Sequence, residues 1–81
     1  MKTYYVYMLL CINDAYYTGF TTDIKRRYAE HCSGSIKCKY TRSFPPVEIA
    51  ACWIIESDSS SDALKLESAI KKLNKDKKQR L

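Results

Sequence analysis

Thr3-Tyr4-Tyr5-Val6-Tyr7-Met8-Leu9-Leu10-Cys11 is aromatic or apolar at every position after its threonine, and a second aromatic run, Ala15-Tyr16-Tyr17-Thr18-Gly19-Phe20, follows Asn13-Asp14. Aromatic and β-branched residues favour a pleated surface, and a run with no polar alternation reads as a strand covered on both faces. Asparagine and aspartate supply turn chemistry. The two runs therefore predict a β-hairpin. Its register has a chemical consequence, because side chains alternate along a strand. A two-residue loop at Asn13-Asp14 puts Tyr7 and Tyr17 on opposite faces. An odd-length loop, or a bulge, puts them on the same face, and only then can the two phenols share one site.

Outward from the hairpin, Thr21-Thr22-Asp23 has the composition of a helix N-cap, and Gly34 after Ser33 that of a C-cap. Between them Ile24, Tyr28, His31 and Cys32 recur at helical spacing, which predicts a buried stripe, with Arg27 and His31 one turn apart on its flank. Residues 35–46 read as a basic loop ending in Pro45-Pro46, and residues 47–56 as a third strand. Ser57 to Asp62 is a turn. Ala63, Leu66, Ile70 and Leu73 then mark the buried stripe of a late helix, with Glu67 roughly 90° around from its centre. The lysine-rich residues 75–81 either continue as helix or fray. The order is β-β-α-β-α. It implies one α+β domain over residues 1–81, a three-stranded, mainly antiparallel sheet with helices packed on it.

With 81 residues there is room for one core. No run approaches the roughly 18 apolar residues of a membrane span, and the N-terminus lacks the pattern of a signal peptide. A cytoplasmic protein with no membrane partner is expected. Cys11, Cys32, Cys38 and Cys52 contain no C-x-x-C pair, so neither a disulfide scaffold nor a zinc finger is expected. The net charge is +5 and it is zoned. Residues 21–43 hold six basic side chains against Asp23 and Glu30, residues 46–62 are acidic only, and residues 65–81 hold seven basic side chains against Glu67 and Asp76. Two basic zones flanking an acidic one suit a polyanionic partner.

The residues resemble the GIY-YIG nucleases. Tyr5-Val6-Tyr7 stands where the first signature falls and Tyr17-Thr18-Gly19 where the second falls. Arg27 follows Gly19 by the family's spacing of eight, His31 follows by four more, and Leu66-Glu67-Ser68-Ala69-Ile70-Lys71-Lys72-Leu73 looks like the helix that carries the family's metal-ligand glutamate. Lys39-Tyr40-Thr41-Arg42 and Pro45-Pro46-Val47 look like the small stand-alone members. Tyr5 replaces a family glycine and Thr18 a family isoleucine. A late family asparagine has only Gln79 or Asn74 as a counterpart.

The resemblance implies a metal-dependent endonuclease that hydrolyses DNA phosphodiester bonds, with a role in DNA repair. Tyr7 is the favoured general base and Tyr17 the alternative or helper. Arg27 would grip the phosphate, His31 would adjust a proton, and Glu67 would hold Mg2+ or Mn2+, the hard cations that suit a lone carboxylate. Arg26, Lys37, Lys39, Arg42 and Lys71 are the expected contacts to DNA, whether structured or single-stranded. No small-molecule cofactor is expected. The alternative is a nucleic-acid-binding module with the same fold and little or no catalytic activity. Without the resemblance, the tyrosines would be read as packing aromatics and Glu67 as the i,i+4 partner of Lys71.

Overall fold

A three-residue turn sets the sheet. In the computed structural model, which describes residues 1–34, 38–73 and 75–80, strands β1 (Lys2–Cys11) and β2 (Tyr16–Thr21) pair antiparallel from Tyr5 opposite Thr21 to Leu10 opposite Tyr16. Cys11 N–H donates to Ala15 O at 2.9 Å, and Asp14 N–H returns to Cys11 O at 2.9 Å. Ile12, Asn13 and Asp14 form the loop, and Asp14 takes the left-handed conformation with φ 63°. That is the usual solution for a three-residue hairpin, and aspartate tolerates it because its side chain is short and polar. The loop is odd in length. Leu9 faces Tyr17 across the ladder, so Tyr7 and Tyr17 share a face.

Strand β3 (Pro46–Ser57) pairs antiparallel with the other edge of β1, giving the order β2-β1-β3. Register shifts between Met8 and Leu9 and between Leu10 and Cys11 mark bulges, where β3 carries an extra residue. β1 is therefore the central strand, and both of its faces are covered. On one face Tyr4, Val6 and Met8 pack with Ala63, Ile70 and Leu66 of α3 (Ser61–Lys71), together with Phe20, Trp53 and Ile55. On the other, Tyr7, Leu9 and Cys11 pack with Tyr17 and with Ile24 and Tyr28 of α1 (Ile24–Ser33). Burying a side chain such as Val6 or Leu9, both fully buried, stabilises the fold by about 1.5–3 kcal/mol.

The expected caps of α1 are present. Asp23 Oδ1 accepts from Arg26 N–H at 3.1 Å, and Gly34 closes the helix in the left-handed region, φ 72°. Two expectations need correcting. Cys32 is exposed, because the buried stripe of α1 centres on Ile24, Tyr28, His31 and the flank of Arg27. The stretch read as a loop contains α2 (Lys39–Ser43), a single turn that carries no side-chain cap and so leaves no capping signature in the sequence. Of residues 75–81, Lys75–Gln79 form helix α4, whose Lys75 pairs with Asp14 of the hairpin turn. Lys37 and Asn74 lie outside the described residues, and Gln79 is exposed on α4. No helix among the described residues is long and apolar enough to cross a membrane.

Candidate active site

Tyr7 sits on the central strand directly opposite Gly19. A Cβ at Gly19 would lie 2.6 Å from Tyr7 Oη and 2.8 Å from Cζ, so only glycine lets the phenol ring lie across β2. Across that gap the Tyr7 hydroxyl reaches His31 Nε2 at 2.9 Å. His31 occupies the last turn of α1, and its other ring nitrogen, Nδ1, is 2.6 Å from Thr41 Oγ1 on α2. Thr41 Oγ1 in turn lies 3.4 Å from Cys38 O, one turn back in the chain. Tyr17 meets the imidazole edge-on, ring centroids 5.1 Å apart, and Tyr40 stacks on Tyr17 at 5.7 Å.

Arg27 lies against this array. Its guanidinium pairs with Glu30 at 3.2 Å, and its charge acts on the neighbouring Tyr7 hydroxyl. Burial works against the charge of Arg27, but the Tyr7 and Glu30 contacts more than offset it and hold the guanidinium firmly protonated. Burial pushes the Tyr7 phenol up to about 12, with the neighbouring Arg27 cation opposing it. Burial, helped by the charge of Arg27, pushes His31 down to about 4. At neutral pH the pair is therefore an un-ionised phenol beside a neutral imidazole.

Four of the five residues expected to be reactive, Tyr7, Tyr17, Arg27 and His31, come together on the α1 face. Their exposure divides them. Tyr7 is 1% exposed and His31 0%, whereas Tyr17 is half-buried and the Arg27 side chain is 23% exposed. A general base must touch the water it deprotonates, and of the two phenols Tyr17 is the one open to solvent. The fifth, Glu67, is on α3, whose apolar stripe covers the opposite face. Its side chain is 13% exposed and pairs with Lys71 at 3.3 Å. No hydrogen bond or ion pair among the described residues joins it to the tyrosine group. Its donor set, one carboxylate, fits a hard cation that keeps water and substrate oxygens as its other ligands. The described residues contain no group of three or more potential metal-ligating side chains.

Arg26, exposed and 3.8 Å from Asp23, lies on α1, while Lys39 and Arg42 project from α2, which contacts α1. These three cations border the α1 face; Lys71 does not. Sequence reasoning missed Thr41 and Tyr40 as parts of the site. Their only sequence signal is the Lys39-Tyr40-Thr41-Arg42 segment, because both act through contacts to residues far off in the chain. A cleft of about 400 Å³ opens elsewhere, between the hairpin turn and α4, lined by Asn13, Asp14, Tyr16, Lys75 and Lys78. Of the residues expected to be reactive it includes none.

A family model described as the GIY-YIG catalytic domain matches residues 3–80. The chain is 45% identical over 77 residues to a UPF0213 protein of Cupriavidus necator, covering 95% of this chain and 80% of that one. It is likewise 45% identical over 78 residues to a UPF0213 protein of Natronomonas pharaonis, covering 96% and 88%. Among solved structures it is similar to the solution NMR structure of a UPF0213 protein from Bacillus halodurans, with a TM-score of 0.57, 38% identity, and coverage of 96% of this chain and 80% of that one.

Proposed function

The chain belongs to the GIY-YIG catalytic domain family, and on that premise we propose that it is a divalent-metal-dependent endonuclease acting on DNA. The observation that carries this reading is the division of the α1 face. Tyr17 and Arg27 reach the surface, while Tyr7, His31 and Thr41 form a buried polar chain beneath them. A phosphodiester resists attack because its charge repels nucleophiles and its alkoxide leaves poorly. Arg27 addresses the first problem by holding non-bridging oxygens in its guanidinium fork. Tyr17 Oη takes the proton of the attacking water. A free phenol titrates near 10, so this base needs cationic neighbours. Mg2+ or Mn2+ held by Glu67 would supply Lewis-acid stabilisation of the leaving oxygen. Lys71, which neighbours that carboxylate, is the group a cation would displace. Arg26, Lys39 and Arg42 track flanking phosphates.

The role of base thus moves from Tyr7, the favoured candidate in the sequence, to Tyr17, its alternative. Tyr7 and His31 become buried supports beneath Arg27. A second reading keeps nucleic-acid binding and drops cleavage, and it is favoured by the pairing of Glu67 with Lys71 outside the tyrosine group. The deciding experiment incubates pure protein with plasmid, single-stranded and branched DNA and Mg2+ or Mn2+, beside Glu67→Ala and Arg27→Ala. Metal-dependent cutting lost in both variants supports the nuclease. Salt-sensitive binding without cutting supports the binding module. Equal cutting by all three proteins means contamination and sinks the nuclease reading.

A further inference from the structure

Four polar groups run in series through the α1 face, and the hydrogens available to them fix the direction of the series. The Tyr7 hydroxyl has one hydrogen-bond partner among the described residues, His31 Nε2, and a phenol can either donate or accept there. The bond between Tyr7 Oη and His31 Nε2 then has two possible senses, and each dictates the rest of the series.

If Nε2 carried the imidazole proton, Tyr7 Oη would accept it. Its own proton would then have no acceptor, although Tyr7 is only 1% exposed. Thr41 would give its proton to Nδ1. In the opposite sense every hydrogen is placed. The Tyr7 hydroxyl donates to Nε2 at 2.9 Å, Nδ1–H donates to Thr41 Oγ1 at 2.6 Å, and the Thr41 hydroxyl donates to Cys38 O at 3.4 Å. Buried polar hydrogens find acceptors in folded proteins. Thr41, fully buried, is the one residue whose hydroxyl both accepts the Nδ1 proton and passes its own to the backbone.

We propose that Thr41 is a positioning residue that locks His31 as the Nδ1–H tautomer, so that Tyr7 spends its proton on His31 and turns only lone pairs outward. The neighbouring Arg27 guanidinium then meets no competing O–H and is left for an incoming phosphate. The catalytic consequence rests on reading Arg27 as the phosphate grip; the tautomer does not.

His31 is the only histidine in the chain, so a 15N-histidine-labelled protein reports this one ring by NMR without ambiguity. Wild type and Thr41→Ser are expected to show Nδ1 protonated and Nε2 bare. Thr41→Val, which keeps the shape and loses the acceptor, leaves one proton unplaced in either tautomer and is expected to shift a measurable share of the ring to the Nε2–H form. Cleavage should fall about tenfold in Thr41→Val, the scale of one charge-assisted hydrogen bond, and should return in Thr41→Ser. A wild-type ring protonated on Nε2, or a Thr41→Val ring with no measurable Nε2–H share, overturns the proposal. A shifted tautomer with full cleavage overturns its catalytic consequence. If Thr41→Val does not fold, the wild-type and Thr41→Ser rings still decide the tautomer. The ring is read without substrate, so failure of the nuclease reading would show as absent cleavage alone.

Discussion

On the α3 side of β1, Tyr4, Val6 and Met8 meet Ala63, Leu66 and Ile70; on the α1 side, Tyr7, Leu9 and Cys11 meet Tyr17, Ile24 and Tyr28, and the Tyr7 hydroxyl reaches His31, which reaches Thr41. One strand thus presents apolar side chains to both helices, and on the α1 side Tyr7 adds a buried hydrogen-bonding group. Apolar burial is non-directional, so the α3 face needs volume and little else. A buried polar array tolerates no such freedom, because a donor or acceptor left without its partner costs about 1–3 kcal/mol. The α3 face anchors the sheet, and the α1 face uses that rigidity to hold phenol, imidazole and guanidinium in register.

The sharpest way to break this comparison is within the α1 face itself, between its surface phenol and its buried one. Tyr17→Phe is expected to lower cleavage by about 10²–10⁴, the range for a general base, with little change in stability. Tyr7→Phe is expected to lower cleavage less and stability more, by about 1–3 kcal/mol, because His31 Nε2 loses its donor. Single-turnover rates and denaturant melts on both variants check this. The reverse ranking would return the base to Tyr7.

Gly19→Ala comes next. Its Cβ would sit 2.6 Å from a hydroxyl held by His31, so the phenol cannot swing clear without breaking the array. A displacement of about 1 Å at a catalytic constellation costs on the order of 10² in rate. Cleavage should fall by about that factor while the α3 side stays intact, as native-state hydrogen exchange on β3 and α3 would show. An active Gly19→Ala protein would mean that the placement of Tyr7 does not matter to the chemistry.

These two variants also mark the limit of what the sequence could say. The α+β architecture was legible because β1 and β2 are aromatic, α1 carries Asp23 and Gly34 at its ends, and Ala63, Leu66 and Ile70 repeat at helical spacing. The shared face of Tyr7 and Tyr17 was legible only as a choice, since it turns on whether Ile12 joins the loop. Ile12 is apolar yet 64% exposed, so hydropathy pointed the wrong way. Cys32 was misplaced for the same reason. Periodicity cannot tell that His31, a polar residue, is the most buried member of its helix. Thr41 was invisible as a site residue, because its partner lies across space on α1.

The pH dependence of stability sharpens the contrast more gently. His31 has its ordinary pKa of 6.5 lowered to about 4 by burial. Between those values the unfolded chain takes up a proton and the folded chain does not. The stability tied to the neutral ring is therefore fully present above pH 6.5 and is lost as pH falls toward 4. The full shift corresponds to about 3 kcal/mol. Carboxylates titrate over the same window, so the quantity to measure is the stability difference between wild type and His31→Gln. It should shrink by about that amount from pH 7 to pH 4. A difference that does not change with pH would mean the imidazole is not held neutral.

The smallest effect tests the other face. Thr18 lies on the α3 side opposite Met8, 3% exposed, and its Oγ1 has no hydrogen-bond partner among the described residues. A hydroxyl there contributes nothing to an apolar contact and forfeits its hydration. Thr18→Val should raise stability by about 1 kcal/mol, roughly 4–8 °C in Tm for a domain of this size, and leave cleavage unchanged. The same exchange at Thr41 is expected to do the opposite on both counts, because that hydroxyl has two partners. If the two valine variants behaved alike, the faces would not differ in kind, and the polar array on α1 would be packing that happens to contain heteroatoms.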